Sequence, residues 1–472
     1  MINAAFLAAL NVLGLVKGVV VASFLSASDY GIWGLIAVAV GTLLWLASVG
    51  VDDKYIQQDH PDQQVAFEIA FTLQTILCGA FMVLMAAAIP LFALLYGRPE
   101  MIAPGLALIA SVPAIVLQTP LWVYYRRMQY GRQRALQMAD PLVSFAVTIG
   151  LAYAGLGVWA LVVGSICGSW AAAAVVLRWS PYPLRFRYES GAVREYARFS
   201  WPLFVGSGSG VLVMQIPIVV ASHALGLASV GAIALAGNIS QFANRVDDIV
   251  TQALYPAVCA VKDQAELLYE SFWKSNRLAL LWAAPCGAGA ALFAGDLVHF
   301  VIGEKWRFAV PLIQAFGLTA ALNQIGFNWT AFFRARGETR PIAVANAAWL
   351  AAALVVALPL LLADGLTAFG WGMAVATGVY VLVRLAYLRR IFRDFDVVRH
   401  VLRGIGPALP ATAAVVALRA LDPGPRSAGR VVAEIVLFVS IALGVTLVSE
   451  RSLMREAVGY LRARAAAAEP AA

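Results

Sequence analysis

The sequence predicts an all-α polytopic membrane protein with about fourteen transmembrane helices, set out as two pseudo-symmetric six-helix bundles plus two C-terminal helices. Three observations carry that expectation: an apolar composition, a train of span-length apolar segments, and a lopsided distribution of Lys and Arg. Of 472 residues, 61% are hydrophobic and 13% charged, and the mean hydropathy is +0.80. Globular domains are nearer half apolar and a quarter charged.

About twenty residues cross a hydrocarbon core, and that criterion places spans at 2–25, 30–50, 66–96, 101–124, 138–155, 157–178, 199–222, 229–252, 277–302, 308–333, 341–363, 367–388, 401–420 and 430–449. The fifth and sixth are divided only by Gly155-Leu156-Gly157. The first lacks a basic leading region and a small-residue cleavage site, so it reads as a retained span. It begins almost at Met1, which points to a start further upstream. Two cytoplasmic stretches, 191–199 and 263–274, read as amphipathic helices lying along the inner interface. Asp29 with Ser28 reads as the N-cap of the second span. Cys78, Cys167, Cys259 and Cys286 all sit in apolar runs without metal or redox spacing, so neither disulfide nor zinc site is expected.

With the N-terminus inside, 27 of the 34 Lys and Arg fall on cytoplasmic loops and the C-terminal tail, and six on outer loops. That bias orients the chain with both termini cytoplasmic and explains the net charge of +8 without nucleic acid. The outer loops are a few residues each, too short to carry the catalytic groups of a glycosyltransferase or polymerase. No enzyme activity, cofactor or metal is expected.

The chain also matches itself. Val19–Ser23 parallels Ile218–Ser222, and Val51-Asp52-Asp53 parallels Val246-Asp247-Asp248. A later block pairs Gly97 with Gly303, Gln118 with Gln324, Gly131 with Gly337 and Arg134 with Arg340. An even number of spans between copies gives both halves one orientation, related by an axis along the membrane normal. The resulting division is 1–180 for the first bundle, 181–395 for the second with its interfacial lead-in helix, and 396–472 for two further spans and a tail.

The candidate site residues are polar groups where lipid should forbid them. Lys17, with Asn11 a turn and a half earlier, lies inside the first span, where an ammonium costs roughly 2.5–3.5 kcal/mol. It either pairs with a neighbouring helix or faces an internal cavity and receives an anion. Asn238, Gln241, Arg245, Asp248 and Gln252 fall within an arc of roughly 80° on the eighth span, and Arg245 and Asp248 are spaced to pair. Gln314, Gly317, Gln324 and Asn328 form a similar stripe on the tenth. Such stripes face protein or water, either as interhelical hydrogen bonds or as the lining of a cleft. Lys17, Arg245 and the amides suit an anionic, hydroxyl-rich cargo. No carboxylate is expected at mid-depth, which counts against a cation antiporter.

The stretch Leu25-Ser26-Ala27-Ser28-Asp29-Tyr30-Gly31-Ile32-Trp33-Gly34-Leu35 resembles the entry to the second helix of Wzx-type polysaccharide flippases, of the multidrug/oligosaccharidyl-lipid/polysaccharide exporter superfamily. Leu254-Tyr255-Pro256-Ala257 and Arg334–Gly337 are similar to the same family, as are the span count and the repeat. The resemblance implies a two-lobed bundle moving an undecaprenyl-diphosphate-linked oligosaccharide between leaflets of the bacterial inner membrane, with a polysaccharide polymerase and a chain-length regulator as partners besides membrane lipids. Lys17 and Arg245 would receive the diphosphate, and Asn11, Gln118, Asn238, Gln241, Asp248, Gln324 and Asn328 would line the path. Ala27 stands where the family often has proline, and Gln215-Ile216-Pro217 where relatives often have an Asp-Arg pair. The alternatives are a drug or cation antiporter, or a lipid II flippase, of the same superfamily.

Overall fold

The computed structural model describes residues 2–47, 51–57, 60–189, 191, 215, 218–260, 264–335, 338, 340–392, 395–422, 424–456 and 459. Every regular element among them is helical. They are α1 (Ile2–Phe24), α2 (Ala27–Ala47), α3 (Val51–Gln57), α4 (Gln63–Tyr96), α5 (Ile102–Ala107), α6 (Val112–Leu117), α7 (Leu121–Arg126), α8 (Tyr130–Gln137), α9 (Ala139–Tyr153) and α10 (Val158–Arg178). After them come α11 (Leu227–Ala260), α12 (Ala265–Leu297), α13 (Val310–Asn323), α14 (Trp329–Ala335), α15 (Arg340–Ala352), α16 (Leu358–Ile391), α17 (Val397–Ile405), α18 (Ala408–Leu421) and α19 (Ala428–Ser449).

Seven helical stretches among the described residues are long and apolar enough to cross a membrane, and eight if α17 and α18, bent by 46°, form one span. The stretch Arg340–Ile391 is 52 residues long, more than twice what one crossing needs. It breaks at Gly365, whose φ of 74° is left-handed. A Cβ on Gly372 would lie 2.5 Å from Ala357 Cα, so the chain doubles back there as a helical hairpin. The expected seventh span lies mostly outside the described residues, as does 192–199. The segment expected to lie along the inner surface over 263–274 is instead the beginning of α12, which runs unbroken to Leu297.

The described chain falls into two compact units, Ile2–Ala234 and Leu235–Ala472. In the first, the Asp-Tyr-Gly stretch at the start of α2 has a packing role. Ser26, not Ser28, caps the helix: the Asp29 amide donates to Ser26 Oγ at 3.0 Å and the Ser26 hydroxyl donates back to Asp29 Oδ2 at 2.6 Å. Tyr30 is buried, its hydroxyl lying over Gly18 of α1. Gly31 meets the first turns of α11 so closely that a Cβ would stand 2.0 Å from the Leu227 carbonyl oxygen. Gly231 answers it, its Cβ position only 2.3 Å from the Ala27 oxygen, as small residues allow between membrane helices. Elsewhere in this unit Tyr55, Phe67, Ile69 and Val123 close a core against α3, α4 and α7.

In the second unit α12 is central. Its inner half packs Leu268 and Phe272 against Trp329, Phe332, Phe392 and Phe395. Its outer end carries Asp296, which with Glu434 of α19 binds a cluster of arginines. Arg419 Nη2 reaches Asp296 at 3.0 Å, and its Nε reaches Glu434 at 2.9 Å. Arg426 Nη2 also lies 2.9 Å from Glu434, and Arg430 Nε 3.3 Å. Glu434 is fully buried, so these charges fasten the last two helices to α12.

Removing one partner from a buried ion cluster strands the others. Glu434→Ala is therefore expected to cost about 3–5 kcal/mol, read as a lowered midpoint of thermal unfolding in detergent. Glu456→Ala, which removes a half-exposed partner of Lys274, is expected to cost less than about 1 kcal/mol.

Candidate functional site: polar contacts inside each unit

In the first unit Lys17 sits on α1, half-buried. Its ammonium donates to Ser144 Oγ of α9 at 2.6 Å, and Asp140, one turn earlier on α9, acts on it electrostatically. Asp140 is reached because α9 and α10 approach closely: a Cβ on Gly168 would stand 2.4 Å from Asp140 Oδ1. The span containing Asp140 runs over Gly131–Tyr153, beginning earlier than the apolar run that starts at 138. Asp140 therefore lies within that helical stretch, nine residues from its start.

Asn11 lies on the same helix as Lys17, but its side chain is outside the described residues. Gln118 closes α6, and its Nε2 donates to the Ser169 carbonyl of α10 at 3.1 Å. Gln215, where relatives were expected to carry an Asp-Arg pair, is buried and bridges the Tyr96 hydroxyl and Thr42 Oγ1. In the second unit Asn238 and Gln241 are exposed on α11. Arg245 and Asp248 continue the helix, while their side chains, and so their expected pairing, lie outside the described residues.

The tenth-span stripe is interrupted. Helix α13 ends at Asn323, Gly326 adopts a φ of 71°, and α14 starts at Trp329. Gln324 and Asn328 thus occupy a buried turn rather than one helical face. Gln324 Nε2 donates to Asn244 Oδ1 of α11 at 2.9 Å, and its carbonyl accepts from Asn276 Nδ2 of α12 at 2.9 Å. Asn328 Nδ2 donates to Ser275 Oγ at 2.5 Å. The chain of contacts runs on through His400, whose Nε2 donates to Asn276 Oδ1 at 2.8 Å. Arg277 can only donate, so His400 Nδ1 accepts its Nη2 at 3.1 Å; the Nη1 of Arg277 meets Glu450 at 2.6 Å.

Sequence reasoning missed Asp140 and Ser144 as partners of Lys17, and Asn244, Ser275, Asn276 and His400 as partners of the turn. The signal for Asn244 was its spacing of four from Ser240 on α11, a separate face from the Asn238 stripe. For the others the signal is three-dimensional. Among the described residues no cluster of His, Cys, Asp and Glu could hold a metal.

A family model described as polysaccharide biosynthesis protein matches residues 20–311. The succinoglycan biosynthesis transport protein ExoT of Rhizobium meliloti (strain 1021) is 24% identical over 308 residues, covering 64% of this chain and 62% of that protein. The lipopolysaccharide biosynthesis protein WzxC of Escherichia coli (strain K12) is 22% identical over 329 residues, covering 66% and 64%. The match therefore spans less than two thirds of either relative's length. Among solved structures, the lipid II flippase MurJ in an inward closed conformation superposes with a TM-score of 0.69 at 12% identity, over 96% of this chain and 99% of that one. An inward-facing multidrug resistance MATE family transporter gives 0.65 at 15%, over 83% and 98%. These two likenesses establish the all-helical polytopic fold.

Lys17→Met leaves Asp140 without its cation inside a span, a cost of about 2.5–3.5 kcal/mol. The yield of monodisperse protein on size exclusion is expected to fall, and Lys17→Met/Asp140→Asn to restore it.

With the matched region extending over more than half of the sequence, the chain belongs to the polysaccharide biosynthesis protein family, the Wzx-type flippases of the multidrug/oligosaccharidyl-lipid/polysaccharide exporter superfamily.

Proposed function

We propose that this protein translocates an undecaprenyl-diphosphate-linked oligosaccharide repeat unit across the bacterial inner membrane for surface polysaccharide synthesis. It would work by alternating access between two six-helix bundles, 1–180 and 181–395, with 396–472 appended and both termini cytoplasmic. No bond is made or broken. The observation that carries the reading is the cation at Lys17. A membrane helix keeps an ammonium at this depth only where it has work or a partner. Ser144 and Asp140 hold the amine in place, while the side chain is only partly buried. A diphosphate is an anion such an amine can receive through charge-assisted hydrogen bonds.

Arg245 is the second cation of the proposed path. Asn11, Gln118, Asn238, Gln241, Asp248, Gln324 and Asn328 supply its amides and carboxylate, with Gln324 and Asn328 acting through the turn they fix. Membership of a family whose members include a succinoglycan transport protein and a lipopolysaccharide biosynthesis protein supports the cargo class. A polymerase and a chain-length regulator are the partners that would take the product onward.

One observation favours a second reading. Asp140, beside Lys17 on a helical stretch of span length, is a carboxylate of the kind a cation antiporter of the same superfamily would need. The two readings separate on charge: a diphosphate carrier depends on Lys17, an antiporter on Asp140.

The test is complementation of a deletion strain, scoring surface polysaccharide against protein level in the membrane. In the charge-balanced Lys17→Ala/Asp140→Asn variant, export is expected to fall by about tenfold or more, as loss of a charge-assisted contact implies, with normal protein level. Export that survives in this variant removes Lys17 from the cargo path. If Asp140→Asn alone abolishes export, the carboxylate is the working group. Changing Asn238, Gln241 and Arg245 together to Leu is expected to block export; continued export would make that stripe structural.

A further inference from the structure

The second unit holds an open pocket of about 320 Å³, largely apolar with several polar groups in its wall, that none of the roles above uses. It lies between α11, α13, α15 and α16, and its wall includes Asn244, Asn323, Asn346, Trp349, Thr377 and Tyr380. Its volume is at the lower end of the range for small-molecule sites, about 300–1,000 Å³.

Two of its amides are held from behind. Asn244 Oδ1 accepts from Gln324, and Asn323 Oδ1 accepts from Arg384 Nη2 at 3.1 Å. Each amide therefore keeps its nitrogen as a donor toward anything else. The Asn346 amide, the Thr377 and Tyr380 hydroxyls and the Trp349 indole N–H have no hydrogen-bond partner among the described residues. Asn346 is exposed and Trp349 and Tyr380 partly so, so these groups stand open to a ligand entering the pocket.

The chemistry of the wall narrows what that ligand is. It contains no carboxylate, and the Arg384 guanidinium lies 4.5 Å from the centroid of the Tyr380 ring, so a cation is disfavoured. Amides and hydroxyls present donors and acceptors together, the complement of a ring of hydroxyl groups. Trp349 and Tyr380 add flat apolar faces, the usual mixture for a small-molecule pocket with a few orienting polar groups. We propose that this cavity is a sugar subsite that takes one uncharged monosaccharide ring of the cargo's head group. The assignment rests on the flippase reading and adds to it a place where sugar, rather than phosphate, is recognised.

The experiment measures binding to the full chain in lipid nanodiscs with two kinds of probe. One is undecaprenyl diphosphate; the other is undecaprenyl diphosphate carrying a single glucose, galactose or N-acetylglucosamine. At least one sugar is expected to tighten binding by about tenfold over the bare lipid, as two or three net hydrogen bonds provide. Asn346→Leu and the near-isosteric Thr377→Val are each expected to reduce that increment by about three- to tenfold, leaving affinity for bare undecaprenyl diphosphate within twofold. No increment with any of the three sugars, or an increment untouched by both variants, overturns the subsite while leaving the lipid-diphosphate reading intact. Failure of the bare lipid to bind overturns both.

Discussion

The structure depends on one constraint: inside hydrocarbon, a polar group must find its partner within the protein. That rule turns several polar side chains on the spans into ties between helices. Glu434 is the extreme case, a buried carboxylate surrounded by Arg419, Arg426 and Arg430. Lys17 obeys the same rule through Ser144, and Gln118 and Gln324 obey it where their helices end. The outer arginines follow too. On the orientation expected from the charge bias these run against it, yet most are engaged: Arg98 donates to Ser222 and its carbonyl, and the three near α19 are neutralised by acids.

Hydropathy made most of the helical layout legible, because span length is set by the bilayer and not by side-chain detail. The Gly155-Leu156-Gly157 division between α9 and α10 and the hairpin at Gly365 were both readable, since glycine is where a helix can reverse. What the sequence hid was register across helices. Asp140 was missed because the apolar run begins near it, and the helical stretch begins about two turns before that run. Its partner, Lys17, is more than a hundred residues away, and no local pattern links them. The tenth-span stripe misled for the opposite reason. An angular count assumes an unbroken helix, and Gly326 breaks it. Asn244 was passed over because a two-residue face, Ser240 and Asn244, is weaker than the five-residue stripe beside it.

Some positions paired by the sequence self-match share local backbone geometry. Gly97 and Gly303 both have positive φ, and each is followed by a 3₁₀ turn, Pro99–Met101 in one copy and Glu304–Ala309 in the other. Gln118 and Gln324 are both the C-caps of the helices that precede them, α6 and α13. Matched residues thus mark matched interruptions, which is stronger than similarity among apolar helices, where Ala, Val and Leu recur for composition alone.

The two copies of the glutamine nonetheless act differently, and the difference bears on function. Gln118 spends its amide on a backbone carbonyl of the adjacent helix. Gln324 spends its amide on the side chain of Asn244 and its carbonyl on Asn276, so it fixes other polar groups in place instead of closing a gap itself. Its neighbour Asn323 is fixed by Arg384 in the same way. A support layer of this kind fixes the orientation of Asn244 and Asn323, whose amide nitrogens then face other partners. In the second unit that support stands directly behind a cavity wall; in the first, the corresponding glutamine ends in a helix–helix contact. Among the described residues, the two matched breaks thus differ in what surrounds them: a helix–helix contact at Gln118 and the pocket wall at Gln324.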